Sequence, residues 1–211
     1  MDRLAELTAA LAAPGVLIGH RLIAPGDEQA LLAAEAGCFG KASLQARRQS
    51  GAARIAARAL LSRLGAPDAA IAKAPSGAPL WPAGFVGSLA HDEGVALAAV
   101  ARAADFASVG VDVEPDADLP EELIELVATP AERACYDAEL LRGRALFVAK
   151  EAVFKAVHPL DGVFLDFHDI EVDLDGGIAR LRSGRAVAVR VAALSDGGHV
   201  AALAFIRTNE G

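Results

Sequence analysis

Three short segments carry residues whose types and spacing suit chemistry on a charged substrate. The first is Gly110-Val111-Asp112-Val113-Glu114. In an extended strand alternate side chains share a face, so Val109, Val111 and Val113 point to one side and Asp112 and Glu114 to the other. Two carboxylates at that spacing repel unless a cation or a proton joins them, and hard oxygen donors with no Cys or His beside them suit Mg²⁺. The second is FVAKEAVFK, Phe147 to Lys155. At helical spacing Phe147 and Phe154 share one stripe, Glu151 sits about 40° from Phe147 at its edge, and Lys155 follows Glu151 by one turn. The chain has four Lys against 16 Arg, and Lys150 and Lys155 are two of the four. A compact ammonium acting as a point charge on a phosphate is one reason for such a choice. The third is WPAGFVGSLAH, Trp81 to His91, where His91 follows a turn and precedes an apolar run. Each segment taken singly also reads as something ordinary: a solvated strand face, a surface ion pair worth a few tenths of a kcal/mol, an incidental loop histidine.

Positive charge gathers elsewhere. Residues 1–111 carry 10 Lys+Arg against 9 Asp+Glu, and residues 112–211 carry 10 against 19, which together give the net charge of −8. Residues 41–63 hold Lys41, Arg47, Arg48, Arg54, Arg58 and Arg63 and no acid. On a helix Arg47, Arg54 and Arg58 lie within about 40° of one another. Three guanidinium groups on one face repel, which an anionic ligand would relieve; the plainer alternative is three side chains extended into solvent.

Periodicity and breakers supply the elements that must position these residues. Residues 2–13 read as a short amphipathic helix stopped by Pro14-Gly15, 15–24 as a strand, 27–37 as a short helix, and 43–64 as a long helix ending before Gly65 and Pro67. Residues 75–87 are turn-rich. The runs 94–101 and 108–114 read as strands that could pair as a hairpin, and 120–128 and 130–157 as helices. The runs 169–174, 178–182, 186–194 and 199–207 read as strands, with turns at Asp175-Gly176-Gly177 and Asp196-Gly197-Gly198. HDEGVALAAVAR at 91–102 echoes GGHVAALAFIR at 197–207. Two similar α+β halves packed face to face would produce that echo, and so would chance similarity between Ala/Val-rich strands.

Composition excludes several classes. With 211 residues, 54% apolar and 23% charged, the chain can bury a sizeable core and is not disordered. Only 5% aromatics and a net charge of −8 argue against a nucleic-acid reader and a general binder of anionic membranes. Cys38 and Cys135 form neither a disulfide framework nor a zinc set. Asp2 and Glu6 before a short apolar stretch do not make a signal peptide, and no apolar run approaches the roughly 18 residues of a membrane span. The expectation is a soluble, cytoplasmic protein with no nucleic-acid partner.

Together the three segments resemble a family. G-[VI]-D-[VI]-E followed downstream by [WF]-x-x-K-E-x-x-x-K is the paired signature of 4′-phosphopantetheinyl transferases, and it stands here as GVDVE at 110–114 and FVAKEAVFK at 147–155. The upstream PLWPAGFVGSLAH at 79–91 looks like the siderophore-synthetase branch, the enterobactin synthetase component D group. The resemblance runs in order over roughly residues 45–170. It implies an α+β fold, a pseudo-dimer of two similar halves with the active site between them. Residues 1–106 would form a coenzyme A-binding half and residues 107–211 a Mg²⁺-binding, catalytic half. A pseudo-dimer inside one chain needs no second copy, so a monomer is expected.

The implied reaction moves 4′-phosphopantetheine from coenzyme A to a serine of an apo acyl or peptidyl carrier protein and releases adenosine 3′,5′-bisphosphate. The pathway would be siderophore, other nonribosomal peptide, or polyketide biosynthesis. Asp112, Glu114 and Glu151 match the family's Mg²⁺ ligands, Lys155 the lysine on the coenzyme A phosphates, and His91 a histidine at the 3′-phosphate. Lys150 lies beside the site, and Arg47 and Arg54 are candidates for the N-terminal basic contacts. Glu151 and a metal-bound water are the two candidates to accept the serine proton. Ala90, where many members have Ser or Thr, and Ala78, where one branch has Lys, each remove a phosphate contact. Two other classes share parts of the pattern. A Mg²⁺-dependent phosphohydrolase or nuclease would release phosphate or nucleotide without a carrier. An inactive carrier-binding relative would not need the intact Asp112, Glu114, Glu151 and Lys155.

Overall fold

A computed structural model describes residues 3–194 and 198–208. Helix α1 (Arg3–Ala10) leads into strand β1 (Val16–Leu22), a one-turn helix α2 (Ala33–Ala36) and the long helix α3 (Leu44–Arg63). A two-residue ribbon, β2 (Ala72–Lys73) with β3 (Pro79–Leu80), precedes β4 (Phe85–His91), β5 (Val95–Arg102) and β6 (Phe106–Pro115). Helices α4 (Glu121–Val127), α5 (Pro130–Cys135), α6 (Ala138–Arg142) and α7 (Ala145–Asp161) follow. Strands β7 (Ile170–Asp173), β8 (Ile178–Leu181), β9 (Ala186–Ala193) and β10 (His199–Arg207) complete the fold.

Two antiparallel sheets stack. One has the order β1-β5-β4 and the other β6-β10-β9-β8-β7. Along β5 every residue from Val95 to Ala101 is buried, because both faces are covered. Ala96, Ala98 and Val100 meet α3 through Ala52, Ala53, Ala56, Ala57, Leu60 and Leu61. Val95, Leu97, Ala99 and Ala101 meet Val109, Val111 and Val113 of β6 and Ala201 and Leu203 of β10 across the seam, with Leu4, Leu7 and Leu11 closing the edge. On the far side of the second sheet, α7 packs Val148, Ala149, Ala152, Val153 and Ala156 against Val200, Ala202 and Ala204. The layers run helix, sheet, sheet, helix, which is the expected α+β pseudo-dimer. The sequence echo falls on β5 and β10, each an interior strand of its sheet. Small residues recur there because a helix and a second sheet press on opposite faces.

Three expectations are corrected. The runs at 94–101 and 108–114 do not form a hairpin: β5 pairs with β1 and β4, while β6 pairs with β10. Stacking face to face lets each apolar face cover the other, which side-by-side pairing in one sheet would not do. The stretch 130–157 is not one helix. Thr129 and Asp137 cap new starts at Glu132 N and Leu140 N, Tyr136 is extended, and Gly143 separates α6 from α7. The stretch 27–37 breaks at Leu31 and Leu32, which are extended. Of the two late turns, Asp196-Gly197 lies outside the described residues.

Candidate active site

Gly110 lets the two signature motifs meet. A Cβ at this position would stand 1.9 Å from the Ala152 carbonyl oxygen, so only glycine admits α7 this close to β6. The approach carries Lys155 to Asp112: Nζ donates to Asp112 Oδ1 at 2.6 Å and to the Val111 carbonyl at 3.3 Å. Asp112 is buried, and its Oδ2 has no hydrogen-bond partner among the described residues. Glu114 shares that strand face and accepts from Arg144 Nη1 at 2.5 Å, while Arg144 Nε donates to the Ala117 carbonyl at 3.1 Å. Glu151 is half-buried on α7 and makes no hydrogen bond or ion pair among the described residues. Burial raises the pKa of all three carboxyl groups. The Asp112 charge pushes Glu114 and Glu151 further up, whereas Lys155 holds Asp112 and Glu151 down and Arg144 holds Glu114 down. The result is a pocket of unwelcome negative charge in which the buried Asp112 Oδ2 stands without a partner among the described residues.

The three carboxylates do not form a ready cage. Among the described residues no group of three or more His, Cys, Asp or Glu stands gathered to hold a metal ion. The cause is that Asp112 turns to Lys155 and Glu114 to Arg144. Arg144 went unnoticed in the sequence, where its only signal is a position just ahead of the helix carrying Glu151.

Lys150 is not brought to this site. Its ammonium is fully buried on another side of α7 and donates to Glu132 Oε2 at 2.7 Å, to the Val127 carbonyl at 2.7 Å and to the Phe167 carbonyl at 3.0 Å. Those bonds use all of its donors. Burial lowers its pKa, and Glu132 opposes the shift. Glu132 also accepts from Thr129 N and Val172 N, so the pair ties α4, α5, α7 and β7 into a knot.

The basic helix face of the first half is also resolved differently from its sequence reading. The relieving anion for two of its arginines is internal. Buried Glu35 accepts from Arg58 Nη1 at 2.9 Å, Leu32 N at 2.8 Å and Ile71 N at 2.7 Å, and stands 3.8 Å from Arg54. Arg54 is buried, bonds the Ile71 and Ser50 carbonyls and lies over the Phe39 ring. Burial lowers its pKa, and Glu35 offsets part of that. Arg47 is exposed on α3. A cavity of about 150 Å³ collects Arg54, Lys73, Phe39, Ser50 and His91. Lys73, a residue the sequence reading passed over, thus joins Arg54 and His91. His91 is open to solvent on one side; surrounding protein and then the Lys155 ammonium push its pKa below the ordinary imidazole value.

A larger cavity of about 690 Å³ opens between the halves, walled by Gly77, Trp81 and Ser88 from one and Ser108, Phe154 and Lys155 from the other. Trp81 lies flat on Gly87, where a Cβ would come within 2.5 Å of the indole, and its buried Nε1 has no partner among the described residues. A cationic cavity in the first half, carboxylates on β6 and α7 of the second and a cleft that Lys155 lines between the halves suit a multiply charged ligand.

Comparisons with known proteins agree with that geometry. A family profile for the 4′-phosphopantetheinyl transferase N-terminal domain matches residues 34–101, and one for the 4′-phosphopantetheinyl transferase superfamily matches residues 108–204. The chain is 42% identical over 159 residues to 4′-phosphopantetheinyl transferase Svp of Streptomyces mobaraensis, covering 72% of this chain and 65% of the relative. It is 42% identical over 145 residues to 4′-phosphopantetheinyl transferase Npt of Nocardia iowensis, covering 67% and 65%. It is 38% identical over 99 residues to enterobactin synthase component D of Escherichia coli O157:H7, covering 44% and 46%. The chain therefore spans just under two thirds of the length of the first two relatives. Adjoining profiles over both halves, with Asp112 and Lys155 of the two signature motifs bonded where β6 meets α7, lead to one assignment: the chain belongs to the 4′-phosphopantetheinyl transferase superfamily.

Proposed function

We propose that this protein transfers the 4′-phosphopantetheine group of coenzyme A to a serine hydroxyl of an apo carrier protein. The observation that carries the reading is the buried Asp112 carboxylate. One oxygen is bonded to Lys155 and the other has no partner among the described residues, beside two further carboxyl groups whose pKa values are raised by burial and by Asp112. An unpartnered anionic oxygen in such a place fits a divalent cation. Asp112, Glu114 and Glu151 would hold Mg²⁺, which when bound supplies charge neutralisation for the pyrophosphate.

The remaining work belongs to the chain's own residues. In the transfer, the serine oxygen forms a bond to the phosphorus on the pantetheine side of the pyrophosphate. The bond from that phosphorus to the bridging oxygen breaks, adenosine 3′,5′-bisphosphate leaves with the electron pair, and the serine proton goes to a base. Lys155 places its ammonium against the pyrophosphate, where negative charge grows on the leaving group. Glu151, unpaired and with a raised pKa, is the chain's own group suited to accept the proton at its carboxylate. His91, Arg54 and Lys73 would orient the remote 3′-phosphate at their shared cavity, with Arg47 available nearby on the same helix. In this division residues 1–106 bind the nucleotide end and residues 107–211 carry out the transfer, as a monomer in the cytoplasm. No helix of the described residues is long and apolar enough to cross a membrane.

The 99-residue match to enterobactin synthase component D supports a carrier of a siderophore synthetase as substrate. Incubation of apo aryl, peptidyl and acyl carriers with coenzyme A, Mg²⁺ and the protein, followed by intact-mass spectrometry, tests both parts. A mass gain of one phosphopantetheine establishes the activity and ranks the carriers; no gain on any carrier overturns the reading.

A further inference from the structure

The halves meet mainly through apolar packing. Among the described residues one hydrogen bond between two side chains crosses from residues 1–106 to residues 107–208: His199 Nε2 to Asp92 Oδ2, at 2.8 Å. Asp92 directly follows His91 and is fixed in its own half. Its Oδ1 accepts from Gly94 N at 2.7 Å and from Val95 N at 2.6 Å. Its backbone N donates to the Val95 carbonyl at 3.0 Å, and Gln49 of α3 donates to its own carbonyl at 2.8 Å. With one carboxylate oxygen held in the turn, the other is aimed across the seam, and the side chain is only 9% exposed.

On the other side His199 opens β10. The ladder sets Val200 opposite Glu114 and Ala202 opposite Asp112. From His91 to the carboxylates of β6 the connection therefore runs through a peptide bond, one side-chain hydrogen bond and a stiff pair of antiparallel strands. Apolar contacts between stacked sheets are non-directional and tolerate small slides. Other hydrogen bonds across the seam, from Arg190, Arg207 and Thr208, end on backbone carbonyls of Ala12, Pro14, Ala104 and Asp105 at the opposite end of β5. At the cleft end the short, well-aimed Asp92–His199 bond removes that freedom.

We propose that Asp92 and His199 are a positioning pair that fixes the distance between the His91 side and the Asp112–Glu114 side of the cleft, so that one coenzyme A molecule engages both halves at once. The proposal rests on the transferase reading for the identity of the ligand. The pair touches no reacting atom. Its loss leaves each half's contacts intact but uncoordinated, which weakens a ligand that must span them.

The test uses two variants of the full chain. His199→Leu keeps bulk and removes the donor; His199→Gln keeps an N–H donor of similar reach. Coenzyme A titration, steady-state transfer and amide hydrogen exchange of the ligand-free protein are read on both. His199→Leu should raise KM for coenzyme A about tenfold, the worth of one hydrogen bond to a charged group, with kcat far less affected. Exchange at Gly94 and Val95 should speed up, and His199→Gln should restore both readings. Wild-type KM and exchange in His199→Leu, or equal impairment in the two variants, overturns the proposal, because packing and not the hydrogen bond would then matter. If the wild type transfers to no carrier, the function reading fails separately, and the ligand-free exchange still decides the pair: faster in the Leu variant alone supports it, unchanged overturns it.

Discussion

Lys150→Met separates a structural lysine from a ligand-binding one. The Lys150 ammonium is 0% exposed and its partner Glu132 is 2% exposed. Methionine matches the length of the side chain and carries no charge. It strands the Glu132 carboxylate with only the Thr129 and Val172 amides, and leaves the Val127 and Phe167 carbonyls without this donor. Removing one partner of a buried ion pair costs about 3–5 kcal/mol. In a chain of this size each kcal/mol moves the unfolding midpoint by about 2–4 °C, so circular dichroism melting should show a drop of about 6–20 °C. Adding Glu132→Gln removes the stranded charge and should recover most of the loss. The contrast is Lys155→Met, whose ammonium is 29% exposed. That variant leaves the buried Asp112 carboxylate without its counter-charge, so it should also lose stability, but less than Lys150→Met because the lysine side of the pair opens to solvent, while transfer disappears. A Lys150→Met protein that melts within about 2 °C of wild type yet no longer binds coenzyme A would refute the buried-knot reasoning and return Lys150 to the site.

Asp112→Asn should abolish transfer without unfolding the chain, and metal-free melting should hold or rise. The pKa of Asp112 is raised by burial. Its stabilising contribution is thus fully present below the ordinary carboxylate range and is lost as pH rises through the folded value. The stability difference between wild type and Asp112→Asn should therefore shift in favour of the variant as pH climbs, and a flat difference across a pH series of melts would count against it. Lys73→Ala and His91→Ala should weaken coenzyme A more than dephospho-coenzyme A in calorimetry; equal losses would remove the 3′-phosphate from the cavity they share with Arg54. Gly87→Ala should push the Trp81 indole off β4, red-shifting its emission and costing about 1–3 kcal/mol, and unchanged emission would show that the strand and ring can part without disturbance.

Much of the site was legible because period-two and period-3.6 patterns are local. Asp112 and Glu114 had to share a strand face, Glu151 and Lys155 had to share a helix edge, and β5 and β10 showed as apolar runs bounded by turns, whereas their echo left kinship and chance open. Spacing also sufficed for the long helix α3, since its cap and breakers act within a few residues, but not for 130–157, which the fold divides into α5, α6 and α7. What stayed hidden was every pairing between segments far apart in the chain. Whether β5 and β6 lie side by side or face to face depends on which apolar faces find each other, and that is a property of the assembled core. The arginines of α3 seemed to ask for a ligand until folding placed Glu35 beneath them. Lys150 and Lys155 look equivalent five residues apart, yet at 100° per residue they leave α7 in directions about 140° apart. One enters a buried knot and the other faces the cleft. Sequence names the groups able to do chemistry; tertiary packing decides which of them reach one another, because burial, counter-charge and close approach at Gly110 exist only once the layers have closed.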